Sequence, residues 1–180
     1  MIVIIKVGNE ITFSTAGRIN FGEKTNMEYS DKVLAVKDFF ERVNISYEIP
    51  VDMMHSLWWK FMINTGINQA SAIMKANYGV FQKIPEARTL MNKIMGEVLL
   101  ISEKEGYPLT SKDVDAWYDI LDIVSSENKT SMLQDMEAGR KTEVDIFAGT
   151  IIELGKKHNI ATPFNEEIYY LIKTMEKIDK

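Results

Sequence analysis

The chain has 180 residues, room for one domain or for one domain and part of another. Its 26 acidic against 21 basic residues give a formal charge of -5, and without a basic block this balance argues against nucleic acid as a partner. There is no cysteine, and His55 and His158 lie far apart, which excludes disulfides, thiolate chemistry and a recognisable metal-ligand spacing.

Met1-Ile2-Val3-Ile4-Ile5-Lys6 is too short for a signal-peptide core and reads as a strand. No run approaches the length of a membrane span, so a cytoplasmic location without membrane association is expected. The glycosylation sequons Asn44-Ile45-Ser46 and Asn128-Lys129-Thr130 have no consequence there. Ile2–Ile5, a Gly8-Asn9 turn, Ile11–Phe13 and Arg18–Phe21 make residues 2–22 β-like. Ser30-Asp31 caps a helix whose apolar side carries Val33, Leu34, Val36, Phe39, Phe40 and Val43. Tyr47–Pro50 is a short extended link.

From Val51 the pattern is helical. A helix is expected from Met53 to about Met74, with Gly66 as a kink or close-contact point. Pro85 starts another that runs to Lys104 and stops at Gly106 and Pro108. Leu109-Thr110-Ser111 opens the next, with Val114, Trp117, Tyr118, Leu121 and Ile123. Thr130 to Lys156 reads as helix, with a break near Gly139, and Pro163 precedes a last helix carrying Ile168, Tyr169, Leu171, Ile172 and Met175. The expected fold is mainly α. Residues 51–180 form an all-helical domain, and residues 1–50 are a β-rich piece too small to fold alone, read as the tail of a larger α/β domain.

Lys60, Asn64 and Asn68 stand four residues apart inside Leu57-Trp58-Trp59-Lys60-Phe61-Met62-Ile63-Asn64-Thr65-Gly66-Ile67-Asn68. On a helix they share one face, among side chains that are apolar on every other face. Such a stripe is either a cleft-lining site that needs partners or a ligand, or a surface lysine beside two locally bonded amides. Ser131-Met132-Leu133-Gln134-Asp135 has a similar ambiguity. Ser-x-x-Gln is a capping box, yet the same hydroxyl and amides could hold a carboxylate. Glu143 has a plain reading as an acid on a solvated helix face. Gly17-Arg18-Ile19-Asn20-Phe21-Gly22-Glu23-Lys24-Thr25 fails as a phosphate loop because Glu23 displaces the lysine from its place after the glycine, and no GxGxxG occurs.

Together, Trp58-Trp59-Lys60-Phe61…Asn64…Asn68, Ser131–Asp135 and Arg140-Lys141-Thr142-Glu143-Val144-Asp145 resemble the 2-dehydropantoate 2-reductase (ketopantoate reductase) family. The likeness covers nearly the whole chain in the family's order, with Gly17…Phe21-Gly22-Glu23, the Ser30 helix and Pro163 fitting as well. It implies a helical domain of the 6-phosphogluconate-dehydrogenase C-terminal-like type, preceded by strands and one helix left from a truncated Rossmann domain. It also implies NADPH-dependent reduction of ketopantoate to pantoate, on the way to pantothenate and coenzyme A. In that family the residue matching Lys60 is the general acid, those matching Asn64, Asn68 and Ser131 bind substrate, and the one matching Glu143 lies by the cofactor. An ammonium at a ketone oxygen both polarises it and supplies a proton, and partial burial would lower its pKa.

The family's glycine fingerprint lies upstream of everything in this sequence. The chain alone is therefore expected to bind NADPH poorly, to hold no metal and to be inactive. It is read as a truncated gene product, an excised fragment or half of a split enzyme, self-associating or pairing with a nucleotide-binding half. The alternatives are a non-catalytic helical dimerisation or interaction module, and a reductase fragment for another 2-keto acid.

Overall fold

Strand gives way to helix at Ser30 in the computed structural model, which describes residues 4–7, 9–13 and 17–178. The chain groups into two units, Met1–Leu57 and Trp58–Lys180.

In the first unit, β1 (Ile4–Val7) pairs antiparallel with β2 (Glu10–Phe13), Ile4 opposite Phe13 and Val7 opposite Glu10. The expected start of this strand at Ile2 and the Gly8 of its turn lie outside the described residues. β3 (Ile19–Asn20) runs parallel to β4 (Tyr47–Glu48), and α1 (Asp31–Arg42) connects them as a short βαβ crossover. Ser30 caps α1 as its sequence predicts, its hydroxyl accepting from the Val33 amide at 3.4 Å. Phe21, Phe40 and Tyr47 pack edge-on or tilted, with ring centroids 5.2 to 6.0 Å apart. Val33 is buried, but Leu34, Val36, Phe39 and Val43 are exposed, so most of the apolar side of α1 faces outward. The extended link after β4 is held by bonds from the Asn26 amide to Val51 O and from the Met53 amide to Lys24 O.

The second unit is helical and is organised around α5 (Pro85–Lys104). The expected long helix begins as α2 (Met53–Ile63), which enters this unit at Trp58, passes through a π turn at Asn64–Asn68, and ends as α3 (Gln69–Met74). Gly66 is the close-contact point foreseen: a Cβ there would lie 2.5 Å from Met95 Cγ of α5. A six-residue helix that the sequence pattern did not announce, α4 (Tyr78–Lys83), precedes α5. Pro85 is the first residue of α5, and Gly106 turns left-handed (φ +84°) just past its end. Thr110 and Asp113 form a capping box on α6 (Ser111–Ile123), whose Trp117 and Leu121 are buried while Ile123 is exposed.

The expected helix from Thr130 to Lys156 is in fact two helices and a turn. α7 covers Ser131–Glu137, a loop follows through Gly139, a second π turn covers Asp145–Gly149, and α8 covers Thr150–His158. The break falls where expected but is wider, because loop groups find partners outside the helix. Arg140 bonds Asp135 through both main chain and side chain, and Glu176 accepts from the Thr142 amide and hydroxyl at 2.8 and 2.7 Å. α9 (Pro163–Ile178) closes the unit, Ile168 and Ile172 inward and Leu171 outward. Among the described residues, no helix is long and apolar enough to cross a membrane.

Candidate functional site

The polar stripe runs from solvent into the core. Lys60, in the last turn of α2, is exposed; Asn64 is half-buried; Asn68 is buried at 6% exposure. In an uninterrupted α-helix each four-residue step overshoots a full turn by about 40°. The π turn winds more residues into its turn and takes back much of that drift between Asn64 and Asn68. Trp59 anchors this segment by donating from Nε1 to Asp113 O of α6 at 2.9 Å. Trp58 and Phe147 flank Phe61, at 5.7 and 6.3 Å between centroids. The partial burial expected of Lys60 is not found in this chain.

α7 packs against the π turn and α3, and the second π turn packs against the first. Ser131 and the segment after Glu143 are thus carried by elements that touch the one bearing both asparagines. Two local readings need correction. The cap of α7 is Thr130, which has extended backbone (φ -69°, ψ 158°) and accepts from the Leu133 amide; Ser131 is the first helical residue and is exposed. Thr130 also donates to Ser71 Oγ at 3.0 Å, tying α7 to α3. Ser131 is accordingly relieved of the capping role. Glu143 is not on a helix face but in the turn before the second π turn, exposed, with its carbonyl accepting from the Ile146 and Phe147 amides. No hydrogen bond or ion pair engages the side chains of Lys60, Asn64, Asn68, Ser131 or Glu143 among the described residues.

The loop that carries Glu143 is pinned by charge. Burial opposes ionisation of Glu176, but the two Thr142 bonds and the Lys173 ammonium outweigh it and hold its pKa below the usual value. Asp145 is likewise depressed: partial burial is overcome by bonds from Lys173, Tyr169 and Lys141. An open groove of about 310 Å³ beside α7, lined by Lys75, Leu133, Met136, Glu137 and Gly139, contains none of these site residues.

Among the described residues, the loop before α1 is not shaped as a dinucleotide cradle. The loop before α1 is closed on itself, Asn26 bonding the Glu23 amide, Glu23 O and Pro50 O at 2.7 to 2.9 Å. A Cβ on Gly22 would meet that asparagine at 2.5 Å. The N-terminus of α1 already faces carboxylates, Asp31 in its first turn and Glu23 accepting from Ser30 Oγ, which disfavours a pyrophosphate.

A family model for the C-terminal region of ketopantoate reductase PanE/ApbA matches residues 52–176. The chain belongs to that family. The 2-dehydropantoate 2-reductase of Aquifex aeolicus is 29% identical over 177 residues, 96% of this chain and 57% of its own length. That of Vibrio cholerae is 31% identical over 127 residues, 70% of this chain and 42% of its own length. The chain thus spans about half the length of the ketopantoate reductases it matches. A dimeric ketopantoate reductase from Staphylococcus aureus superposes with a TM-score of 0.86 at 20% identity, over all of this chain and 60% of its own. D-mandelate dehydrogenase, solved with NADH and anilino(oxo)acetate, superposes at 0.81 and 20% identity, over 94% of this chain and 55% of its own. At those identities the likeness is one of fold, and the fold is that of the reductases' helical domain.

Sequence reading missed three buried polar residues of this domain. Gln69, Glu97 and Asn165 join α3, α5 and α9 through bonds that span 68 to 96 positions of sequence. No local spacing could have revealed them.

Proposed function

We propose that this chain is the substrate-side half of a 2-keto-acid reductase, with ketopantoate as substrate and pantoate as product. The observation that carries the reading is the polar stripe, which runs from an exposed ammonium to the amide of a buried residue, with no hydrogen-bond or ion-pair partner for any of its three side chains among the described residues. The amides of Asn64 and Asn68 and the Lys60 ammonium are not among the buried unpaired atoms and keep contact with solvent, so they are free to take the polar groups of a ligand. The Lys60 ammonium polarises the ketone oxygen and gives it a proton as the alkoxide forms. Asn64, Asn68 and the Ser131 hydroxyl hold the substrate's hydroxyl and carboxylate. Glu143 orders the cofactor side of the site.

The reducing dinucleotide, NADPH in this reading, is held by a nucleotide-binding half that the chain as it stands does not supply. Residues 1–50 are the tail of that half, and residues 51–180 are the substrate-binding and dimerisation domain. A cytoplasmic location goes with this assignment. By itself the chain neither holds the dinucleotide tightly nor turns over substrate, because reaction requires donor and acceptor to be positioned together.

NADPH fluorescence titration tests this division. The 180-residue chain is expected to give no saturable signal, and the chain joined to a reductase nucleotide-binding half is expected to bind NADPH and oxidise it when ketopantoate is added. Saturable tight binding by the chain alone would refute the division, and NADPH binding without turnover would leave a non-catalytic association module. A second reading, reduction of a different 2-keto acid, draws on the fold shared with D-mandelate dehydrogenase. A panel of 2-keto acids ranked by kcat/KM separates the two.

A further inference from the structure

A π turn disturbs the regular ladder of backbone bonds, and this domain has two π turns in contact. In the second, the Gly149 amide takes Val144 O at 3.0 Å, the carbonyl that the Ala148 amide would use in an α-helix. Ala148 N–H instead donates to Gln69 Oε1 at 3.1 Å. In the first, the Gln69 amide turns to Gly66 O, and Gln69 Nε2 donates to Thr65 O at 2.7 Å. One side-chain amide therefore serves a displaced donor of one turn and a carbonyl of the other. Because one partner can only donate and the other only accept, the orientation of the amide is fixed. Gln69 is fully buried, and Asn165 Oδ1 stands 3.4 Å from its Nε2, itself held by Glu97 at 2.6 Å.

We infer that Gln69 is a positioning residue that locks the turn bearing Asn64 and Asn68 to the turn that follows Glu143. This rests on the reductase reading for its catalytic meaning, but the lock itself is a property of the chain. Gln69 directly follows Asn68, so any shift of its amide moves the buried end of the stripe. It touches no substrate. Its effect is to fix where two substrate-holding amides stand relative to the Glu143 segment, a matter of fractions of an ångström at a reacting centre.

NMR of the labelled 180-residue chain tests the lock without reference to activity. A through-bond coupling between the Ala148 nitrogen and Gln69 Cδ is expected in the unaltered protein. In Gln69→Met, which keeps length but neither donates nor accepts, Ala148 amide exchange should quicken at least tenfold. The side-chain amide signals of Asn64 and Asn68 and the backbone signal of Glu143 should shift together while those of α6 stay. Gln69→Glu should restore the native signals only at low pH, where the introduced carboxyl is protonated and can both donate and accept. Absence of the coupling, or movement at one turn without the other, would overturn the inference, and the coupling decides even if Gln69→Met does not fold. In the joined enzyme Gln69→Met should raise KM for ketopantoate about tenfold or more; unchanged KM and kcat would remove the catalytic meaning. No turnover by the unaltered joined enzyme would instead count against the reductase reading and leave the NMR outcome standing.

Discussion

The two units of this chain spend their apolar residues differently. In Trp58–Lys180 the helices bury Trp117, Phe81, Met95, Leu121 and many others completely, whereas Met1–Leu57 buries only Val33 among its described apolar side chains. The same first unit exposes Met27, Phe39, Val43, Val51 and Leu57. A parallel strand pair with a crossover helix ordinarily lies inside a larger sheet with both faces covered. The contrast teaches that amphipathic pattern predicts which face of an element seeks cover, and only the rest of the fold decides whether it finds any.

Substitutions should separate the units by size of effect. The largest is expected at Glu97, a residue 5% exposed whose carboxylate accepts from the Phe164 and Asn165 amides and Asn165 Nδ2. Glu97→Leu strands the part-buried Phe164 and the buried Asn165 amides, leaves Asn165 Nδ2 only its bond to Ile94 O, and should cost about 3 kcal/mol or more in urea unfolding. A cost under about 1 kcal/mol would mean that water replaces the carboxylate and that the second unit is looser than described.

Gly66→Ala comes next. Its new methyl meets Met95 Cγ at 2.5 Å inside a filled core, with an expected loss of about 1 to 3 kcal/mol by the same measurement. Thr130→Ala removes a cap and the bond to Ser71, at about 1 kcal/mol, while Ser131→Ala should stay within about 0.5 kcal/mol. Equal losses at both would return the capping role to Ser131. In the first unit, Phe39→Ser should change stability by no more than about 0.5 kcal/mol yet reduce light scattering from self-association. A loss above 2 kcal/mol there would erase the contrast between the units.

Acid should act last and locally. Glu176 has a folded-state pKa below its usual 4.5, so the unfolded chain binds its proton first. Its contribution is present above about pH 4.5 and disappears as pH falls through the depressed folded value. Glu176→Gln should flatten that part of the stability profile and loosen the Thr142–Asp145 loop before the helices unfold.

Much of the helical domain was legible in sequence because periodicity, Pro85, Gly106 and Pro163 mark long helices directly. α4 was not, being six residues long, too short to show a period. Lys60, Asn64 and Asn68 stood out because four-residue spacing survives even a π turn. Thr130 and Ser131 are adjacent hydroxyls, and only the backbone angles of Thr130 show which one caps. Gln69 looked like an ordinary polar residue beside the stripe, since its partners Ala148 and Asn165 are distant in sequence.

The most direct measurement is steady-state ketopantoate reduction by the chain joined to a nucleotide-binding half, with Lys60 intact and as Lys60→Ala. Loss of a positioned general acid should lower kcat by about 10²- to 10⁴-fold, with NADPH binding unchanged. Full activity in Lys60→Ala would contradict the assignment of the stripe as the catalytic wall.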